Sequence, residues 1–257
     1  MEDILLEVKN AVRIYKKNGK ELRALDDVNL TLKRGEFLGI VGESGSGKST
    51  ILRHIACLDK LTSGNIYFKG EEYTGSKPQK LCRKMQMVFQ DPVGSFDPRL
   101  KMKDVFKEIY SIMPDGDKEQ KIKELMGNMG LPESLLEKKA GNISGGQCQR
   151  MAIVRAMAVD PEILLCDEAT SALDVSAQAV IVKHLDNLKK RGISMIFVSH
   201  DLALTSSLCD RIMVFKRGKC VEEGEARSVI DNPKEGYTKQ LLSSVLSLGN
   251  AKQTEDN

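Results

Sequence analysis

The run GEFLGIVGESGSGKST, Gly35 to Thr50, constrains the fold more than any other part of the chain. An apolar segment that reads as a buried strand leads into Gly42, Gly45 and Gly47. Lys48 and Ser49 then open a stretch of helical character that reaches about Leu58. Strand, glycine-rich turn and helix in that order match G-x-x-x-x-G-K-[ST], a loop that wraps its backbone round phosphates. The glycines allow the close approach. Lys48 is expected to reach the outer phosphate oxygens, and the Ser49 hydroxyl to ligate Mg²⁺. Glu43, Ser44, Ser46 and Thr50 complete the expected nucleotide cradle.

The texture of the remaining sequence agrees with an α/β fold. Strand-like segments LLEVKNAVRIY and ALDDVNLTL precede the loop, and GNIYFKG and MQMVFQ follow it. From Asp91 the pattern turns helical. In KDVFKEIYSIM, Val105 pairs with Ile109, and Phe106 with Tyr110 and Met113, at helical spacing. DKEQKIKELMGNMG continues the pattern to a glycine stop. EILLCDE then reads as a buried strand, followed by a helix to about Arg191 with Ile181, Leu185 and Leu188 on one face. ISMIFVS is a further buried strand, and DRIMVFKRGKCVEEG a hairpin turning at Arg217-Gly218. Helices alternating with apolar strands predict a parallel sheet covered on both faces, interrupted by a helical insert at roughly residues 91–157. The polar residues 250–257 are expected to fray.

Composition excludes several classes. Among 257 residues the net charge is only +3, with both signs scattered, which gives no support to a nucleic-acid-coating protein. No apolar run approaches the roughly 20 residues that cross a bilayer, and no secretory segment follows Met1. The chain is therefore expected to be soluble and to reach a membrane through partner proteins. The six cysteines contain no Cys-x-x-Cys pair and are expected to be reduced thiols, mostly buried. His54, His184 and His200 are too dispersed for a metal centre, and His54 and His184 read as structural or surface residues.

Two more stretches carry chemistry. ILLCDE delivers Asp167 to the carboxyl edge of a sheet, where it can join a Mg²⁺ shell. Glu168, one residue on, can accept a proton from an attacking water. No Asn/Thr-Lys-x-Asp signature is present, which disfavours a GTPase. In GNISGGQCQR, Ser144, Gly145 and Gly146 open a helix and form a second anion grip from backbone N–H groups. This one has no lysine.

ISGGQ (Ile143–Gln147), the phosphate loop, Gln90, DEATSALD and His200 resemble the nucleotide-binding subunit of ABC transporters. The likeness runs from about Leu5 to Leu246. It implies an ATP hydrolase using ATP and Mg²⁺. The implied architecture is the ABC form of the P-loop NTPase fold: a mostly parallel core sheet, an antiparallel β subdomain and an inserted helical subdomain, within one domain of residues 1–249. In that family two subunits close head-to-tail. Ser144, Gly145, Gly146 and Gln147 would then grip the ATP held by the partner's phosphate loop, which explains the missing lysine. By position, Tyr15 would stack on adenine, and Gln90 would sense Mg²⁺ and the attacking water. His200 would contact the γ-phosphate, and Asp174 in SALD would couple the two half-sites. Ile143 replaces the more usual Leu. Cys148 stands where Gln or Arg is common and begins a helix, where partial exposure would open it to oxidation.

QDPVGSFDPR resembles the Q-D-P-x-x-S-[LF]-[ND]-P-R stretch of peptide and nickel importer ATPases. NPKEGYTKQLLSSV is similar to the His-Pro-Tyr-Thr-x-x-Leu-Leu ending of that branch, with Glu235 and Gly236 in place of His and Pro. The resemblance implies an importer of peptides, with nickel or a metal chelate as the alternative and a soluble non-transport ABC ATPase behind both. The implied partners are a second ATPase subunit in a homo- or heterodimer, two transmembrane permease subunits and, indirectly, an extracellular solute-binding protein. The implied place is the cytoplasmic face of the membrane.

Overall fold

The computed structural model describes residues 3–17, 19–73, 79–169 and 175–243. In chain order the first elements are β1 (Ile4–Lys17), β2 (Lys20–Lys33), β3 (Phe37–Val41), α1 (Lys48–Ile55), β4 (Ser63–Phe68) and β5 (Glu71–Glu72). Next come α2 (Gln79–Lys84), β6 (Met85–Val88), α3 (Met102–Glu108), α4 (Lys118–Asn128), α5 (Gly145–Met157) and β7 (Ile163–Asp167). The last are α6 (Val175–Lys190), β8 (Ser194–Val198), α7 (Leu202–Leu208), β9 (Arg211–Lys216), β10 (Lys219–Glu225) and α8 (Ala226–Asp231). Two compact units emerge, Met1–Gly75 with Ile196–Asn257, and Ser76–Met195. No helix among the described residues is long and apolar enough to cross a membrane.

The first unit holds an antiparallel sheet in the order β2-β1-β4-β5. Its long β1–β2 hairpin breaks register near Asn10 and Asp27, both at positive φ. The irregularity is tied down by Asn10 Nδ2 donating to Asp27 Oδ1 at 2.8 Å. The same unit contains β3, buried at every position and parallel to β9, with Leu38 opposite Arg211 and Val41 opposite Val214. β10 returns antiparallel to β9. Arg217 (φ 48°) and Gly218 (φ 81°) are both left-handed, the requirement of a two-residue type I′ hairpin turn. The predicted turn at Arg217-Gly218 is therefore present.

The second unit contains β6 parallel to β7, with Met85 opposite Ile163 and Val88 opposite Cys166. β7 is buried at every position, as a strand covered on both faces must be. Its helices bury Val105 and Phe106 of α3, Ile122 and Met126 of α4, and Met151, Ile153 and Val154 of α5. The stretch expected to be a helical insert, residues 91–157, lies wholly in this unit.

Two helices are shorter than the sequence pattern predicts. α1 stops at Ile55 because Cys57 turns left-handed (φ 55°). The amides of Cys57 and Leu58 then fold back on His54 O and Arg53 O, at 3.0 and 2.9 Å. That pattern is a Schellman close built without glycine. α3 stops at Glu108, where the amides of Ile109 and Tyr110 tighten onto carbonyls three residues back. Pro114 then disfavours helical geometry at Met113.

Gly39 in β3 shows how closely α7 packs. A Cβ there would stand 2.3 Å from Thr205 Cγ2 and 3.2 Å from Cys209 Sγ. Gly39→Ala should destabilise the chain by about 1–3 kcal/mol in urea unfolding. Thr205→Ser, which removes the methyl and keeps the hydroxyl on Asp201 O, should restore part of that loss. Absence of any rescue would contradict this packing.

Candidate active site

The glycine-rich loop takes its shape from its neighbours. Gly42 lies at φ 148°, and a Cβ on it would stand 2.2 Å from Phe215 O, so no other residue fits. Gly47 lies at φ 109° with its would-be Cβ 2.6 Å from Ala24 O. The β9–β10 turn backs the loop: Gly218 N donates to Ser46 O at 2.8 Å, and Asp26 N donates to Gly218 O at 2.8 Å. Lys48 is 5% exposed, and its Nζ donates to Gly42 O at 2.8 Å and Glu43 O at 2.9 Å. Thus the ammonium closes the loop as a ring. Gly45 (φ 77°) borders open space, and Ser44 is exposed. Ser46 Oγ is buried without a partner among the described residues. Ser49 and Thr50 follow in the first turn of α1, which has no capping side chain and no acid. Its positive end is left to meet an anion.

Register explains the second cluster. Parallel pairing sets Val88 opposite Cys166. Gln90 and Glu168 each lie two residues further on, past the carboxyl ends of β6 and β7. Gln90 Nε2 donates to Glu168 Oε2 at 2.8 Å. Asp167, the last residue of β7, is buried. Glu168 adopts φ 48°, a left-handed conformation that costs energy for a non-glycine residue and is common at functional sites. Sequence spacing did not suggest that the two residues touch, because they stand 78 positions apart.

The expected second anion grip is a fully built helix start. Ser144 is the N-cap of α5; its Oγ accepts from Gln147 N at 3.3 Å, and Gln147 Oε1 accepts from Ser144 N at 3.1 Å. This capping box uses the amides at both ends of the turn. The amides of Gly145 and Gly146 lie between them, not engaged by the cap.

Cys148 corrects the expectation of partial exposure. It is 1% exposed, its Sγ lies 3.9 Å from Ala140 O, and burial together with the charge of Asp91 pushes its thiol up. One turn into α5, position 148 faces the interior, so oxidation sensitivity is not supported. The other described cysteines agree with reduced thiols: Cys166 and Cys209 are buried, Cys57 and Cys220 half-buried.

His200 is exposed just past the end of β8, and Asp201 beside it caps α7 by accepting from Leu204 N at 2.9 Å. Tyr15 is half-buried. Its hydroxyl donates to Asp59 Oδ2 at 3.0 Å, and the Arg13 guanidinium lies 4.4 Å from its ring centroid. Burial pushes the Asp59 carboxyl up. The Lys60 amide, the Tyr15 hydroxyl and Arg13 outweigh it and leave the carboxyl below its ordinary value. His54 is buried between Thr50 O and Lys60 O, a structural residue as expected. Asp174 and the rest of SALD lie outside the described residues.

Sequence reading missed two groups that touch the loop. Gly218 was legible only as a turn. Tyr237 accepts a hydrogen bond from Glu43 N at 3.2 Å, and its one signal was its place in the ending motif. No cluster of three or more His, Cys, Asp or Glu suited to a metal occurs among the described residues. Ser49 offers a hydroxyl, Gln90 an amide oxygen and Asp167 a carboxylate, each a hard oxygen donor of the kind Mg²⁺ takes.

A glycine-rich strand–loop–helix, a buried strand ending in Asp167 with Glu168 just past it, and a capped Ser-Gly-Gly helix start are the features of an ATP-binding cassette. The chain belongs to the ABC transporter family, whose model matches residues 25–171. It is 40% identical over 254 residues to the oligopeptide transport ATP-binding protein OppF of Bacillus subtilis (strain 168), spanning 95% of this chain and 83% of that protein. Its identity to OppF of Escherichia coli (strain K12) is 39% over 247 residues, 93% of this chain and 74% of that protein. Among solved structures, the dimeric ATP-binding cassette MJ0796 in a post-hydrolysis state with ADP and Pi matches with a TM-score of 0.78 at 33% identity, covering 87% and 99% of the two chains. The cbiO1 protein of Clostridium perfringens, part of the ABC transporter complex cbiONQ, matches at 0.77 and 28% identity over 100% of both chains. The family and the α/β fold expected from the sequence are both borne out.

Burial sets a clear order of thiol reactivity. Under brief iodoacetamide treatment of the native chain, half-buried Cys57 should alkylate well before Cys148, Cys166 and Cys209. All should react in denaturant. Peptide mass spectrometry that found Cys148 modified as fast as Cys57 would contradict its placement.

Proposed function

We propose that this chain is the ATP-binding and ATP-hydrolysing subunit of an ABC importer that takes up peptides. The observation that carries the reading is the pair of unlike anion grips. One is closed by a buried lysine. The other is a capped helix start whose glycine amides are spared by the cap and whose motif contains no cation. Two different grips on one chain make sense as halves of two composite sites in a head-to-tail dimer. Similarity to proteins named for oligopeptide transport favours peptide over nickel or a metal chelate as the cargo.

In this reading Lys48 Nζ, held at the loop by the Gly42 and Glu43 carbonyls, contacts the ATP phosphates, and residues 42–50 supply the cradle. Tyr15 stacks on adenine. Ser49, Asp167 and Gln90 hold Mg²⁺, which supplies charge neutralisation at the phosphates when bound. A water attacks the γ-phosphorus; a new O–P bond forms and the bond to the ADP oxygen breaks. Glu168 takes the proton that the water loses, and Gln90 must first release Oε2. His200 contacts the γ-phosphate. Ser144, Gly145, Gly146 and Gln147 grip the partner's ATP, and Asp174 couples the two sites.

Residues 1–249 form the nucleotide-binding domain, with a helical subdomain at about 91–157. Its partners are a second ATPase subunit, identical or related, and two transmembrane permease subunits that hold it at the cytoplasmic face of the membrane. A solute-binding protein acts through the permeases.

Glu168→Gln should keep ATP affinity while lowering turnover by about 10²–10⁴-fold, the usual worth of a general base; near-normal hydrolysis would remove Glu168 from that role. Ser144→Arg should leave ATP binding to the isolated chain intact yet abolish hydrolysis in the assembled complex. Purified from native membranes in ATP, the Glu168→Gln chain should bring two permease subunits with it. Recovery of ribosomes or repair factors without a membrane protein would overturn the transport reading.

A further inference from the structure

The Gly42–Glu43 peptide group is held from both ends. Its carbonyl oxygen, Gly42 O, accepts from Lys48 Nζ at 2.8 Å. Its amide, Glu43 N, donates to the hydroxyl of Tyr237 at 3.2 Å. A trans peptide is planar, with its C=O and N–H pointing in opposite directions. Fixing one end therefore orients the other. A rotation of this plane that turned Gly42 O away from the lysine would also break the tyrosine bond.

Tyr237 is itself well anchored. Its ring packs in a buried cluster with Val41, Leu202, Ile212, Val214, Ala226 and Val229. The Lys216 ammonium lies 4.4 Å from its ring centroid, within reach of a cation–π attraction. Just before it, the amides of Lys234 and Glu235 donate to the Glu222 carboxylate of β10 at 2.8 and 3.2 Å. Thr238, just after it, is fully buried. The tyrosine is thus a fixed point independent of the loop. On that side the loop residues Glu43 to Ser46 border a cavity of about 390 Å³ that Tyr237 also lines. Phe215 O crowds the Gly42 end of the peptide, and on the Glu43 side, which the cavity borders, the tyrosine bond holds the amide.

We propose that Tyr237 is a positioning residue for ATP binding: its hydroxyl, by holding Glu43 N–H, presets the peptide plane whose carbonyl parks Lys48 at the mouth of the phosphate loop. The hydroxyl holds the Glu43 amide. It acts through one peptide group on the lysine, and it also commits the Glu43 amide to the protein. The phosphate-facing donors of the loop therefore begin after Glu43. Through this bond the segment that follows α8 becomes part of the nucleotide site, although no phosphate motif extends there.

This inference rests on the reading of residues 42–50 as an ATP site, and the test separates the two. ATP affinity of the full chain is measured by isothermal titration calorimetry, and KM and kcat in the assembled transporter, for the wild type, Tyr237→Phe and Leu242→Ala. The phenylalanine keeps the ring, its packing and the Lys216 contact, and loses the hydroxyl alone. Leu242→Ala loosens the same segment, since Leu242 packs on the same cluster, without touching the loop. Tyr237→Phe should raise Kd and KM for ATP by about 3- to 10-fold, the scale of one lost hydrogen bond. Its kcat at saturating ATP should stay within about twofold, the mark of lost uniform binding. Leu242→Ala should lower the melting temperature yet leave Kd unchanged. A wild-type Kd for Tyr237→Phe would overturn the proposal, and so would an equal rise in Kd for Leu242→Ala, because general loosening would then account for it. Failure of the wild-type chain to bind ATP would instead overturn the functional reading on which the proposal stands.

Discussion

A buried ammonium needs acceptors, and Lys48 finds two of them in the backbone of its own loop. Much of the first unit serves that arrangement. Gly42 can turn its carbonyl to the lysine only because it lacks a side chain where Phe215 O presses against it. Phe215 stands there because β9 runs parallel to β3 in a register that sets Val41 opposite Val214. The β9–β10 turn then reaches back to hold Ser46, and its two left-handed residues let it do so without strain in a tight hairpin. Strand pairing, turn chemistry and the phosphate grip are one connected constraint.

Register does similar service in the second unit. Gln90 and Glu168 belong to separate motifs, each read from its own surroundings, and neither motif predicts the other's position. Parallel pairing of β6 and β7 carries the two chain ends level, and a single 2.8 Å hydrogen bond results. The bond ties the residue assigned to take a proton from water to the one assigned to sense metal and water. Because a parallel sheet delivers all its carboxyl ends to one edge, such pairs form wherever neighbouring strands end in polar residues.

Much of the site was legible in advance because its chemistry demands particular residues in a fixed local order. A phosphate loop needs glycines, a lysine and a hydroxyl between strand and helix, and an anion-gripping helix start needs Ser-Gly-Gly. The hairpin turn at Arg217-Gly218 was legible for the same reason, since local geometry selects local residues. The misses arise where packing overrode local pattern. Cys57 closes α1 in a conformation usually left to glycine. Cys148 sits in the first turn of a helix yet faces the interior, since α5 is buried along much of its length. Tyr237 is an ordinary aromatic until β9 and the segment after α8 bring it beneath Glu43.

The sequence by itself determined the family, the α/β class, the glycine-rich loop and the capped Ser-Gly-Gly helix start, because each depends on interactions within a few residues along the chain. Tertiary structure alone decided which peptide carbonyls hold Lys48, that Gln90 and Glu168 meet, that Cys148 is shielded and that Tyr237 touches the phosphate loop. Those contacts join residues far apart in sequence, and their existence depends on strand register and core packing, which no local pattern encodes.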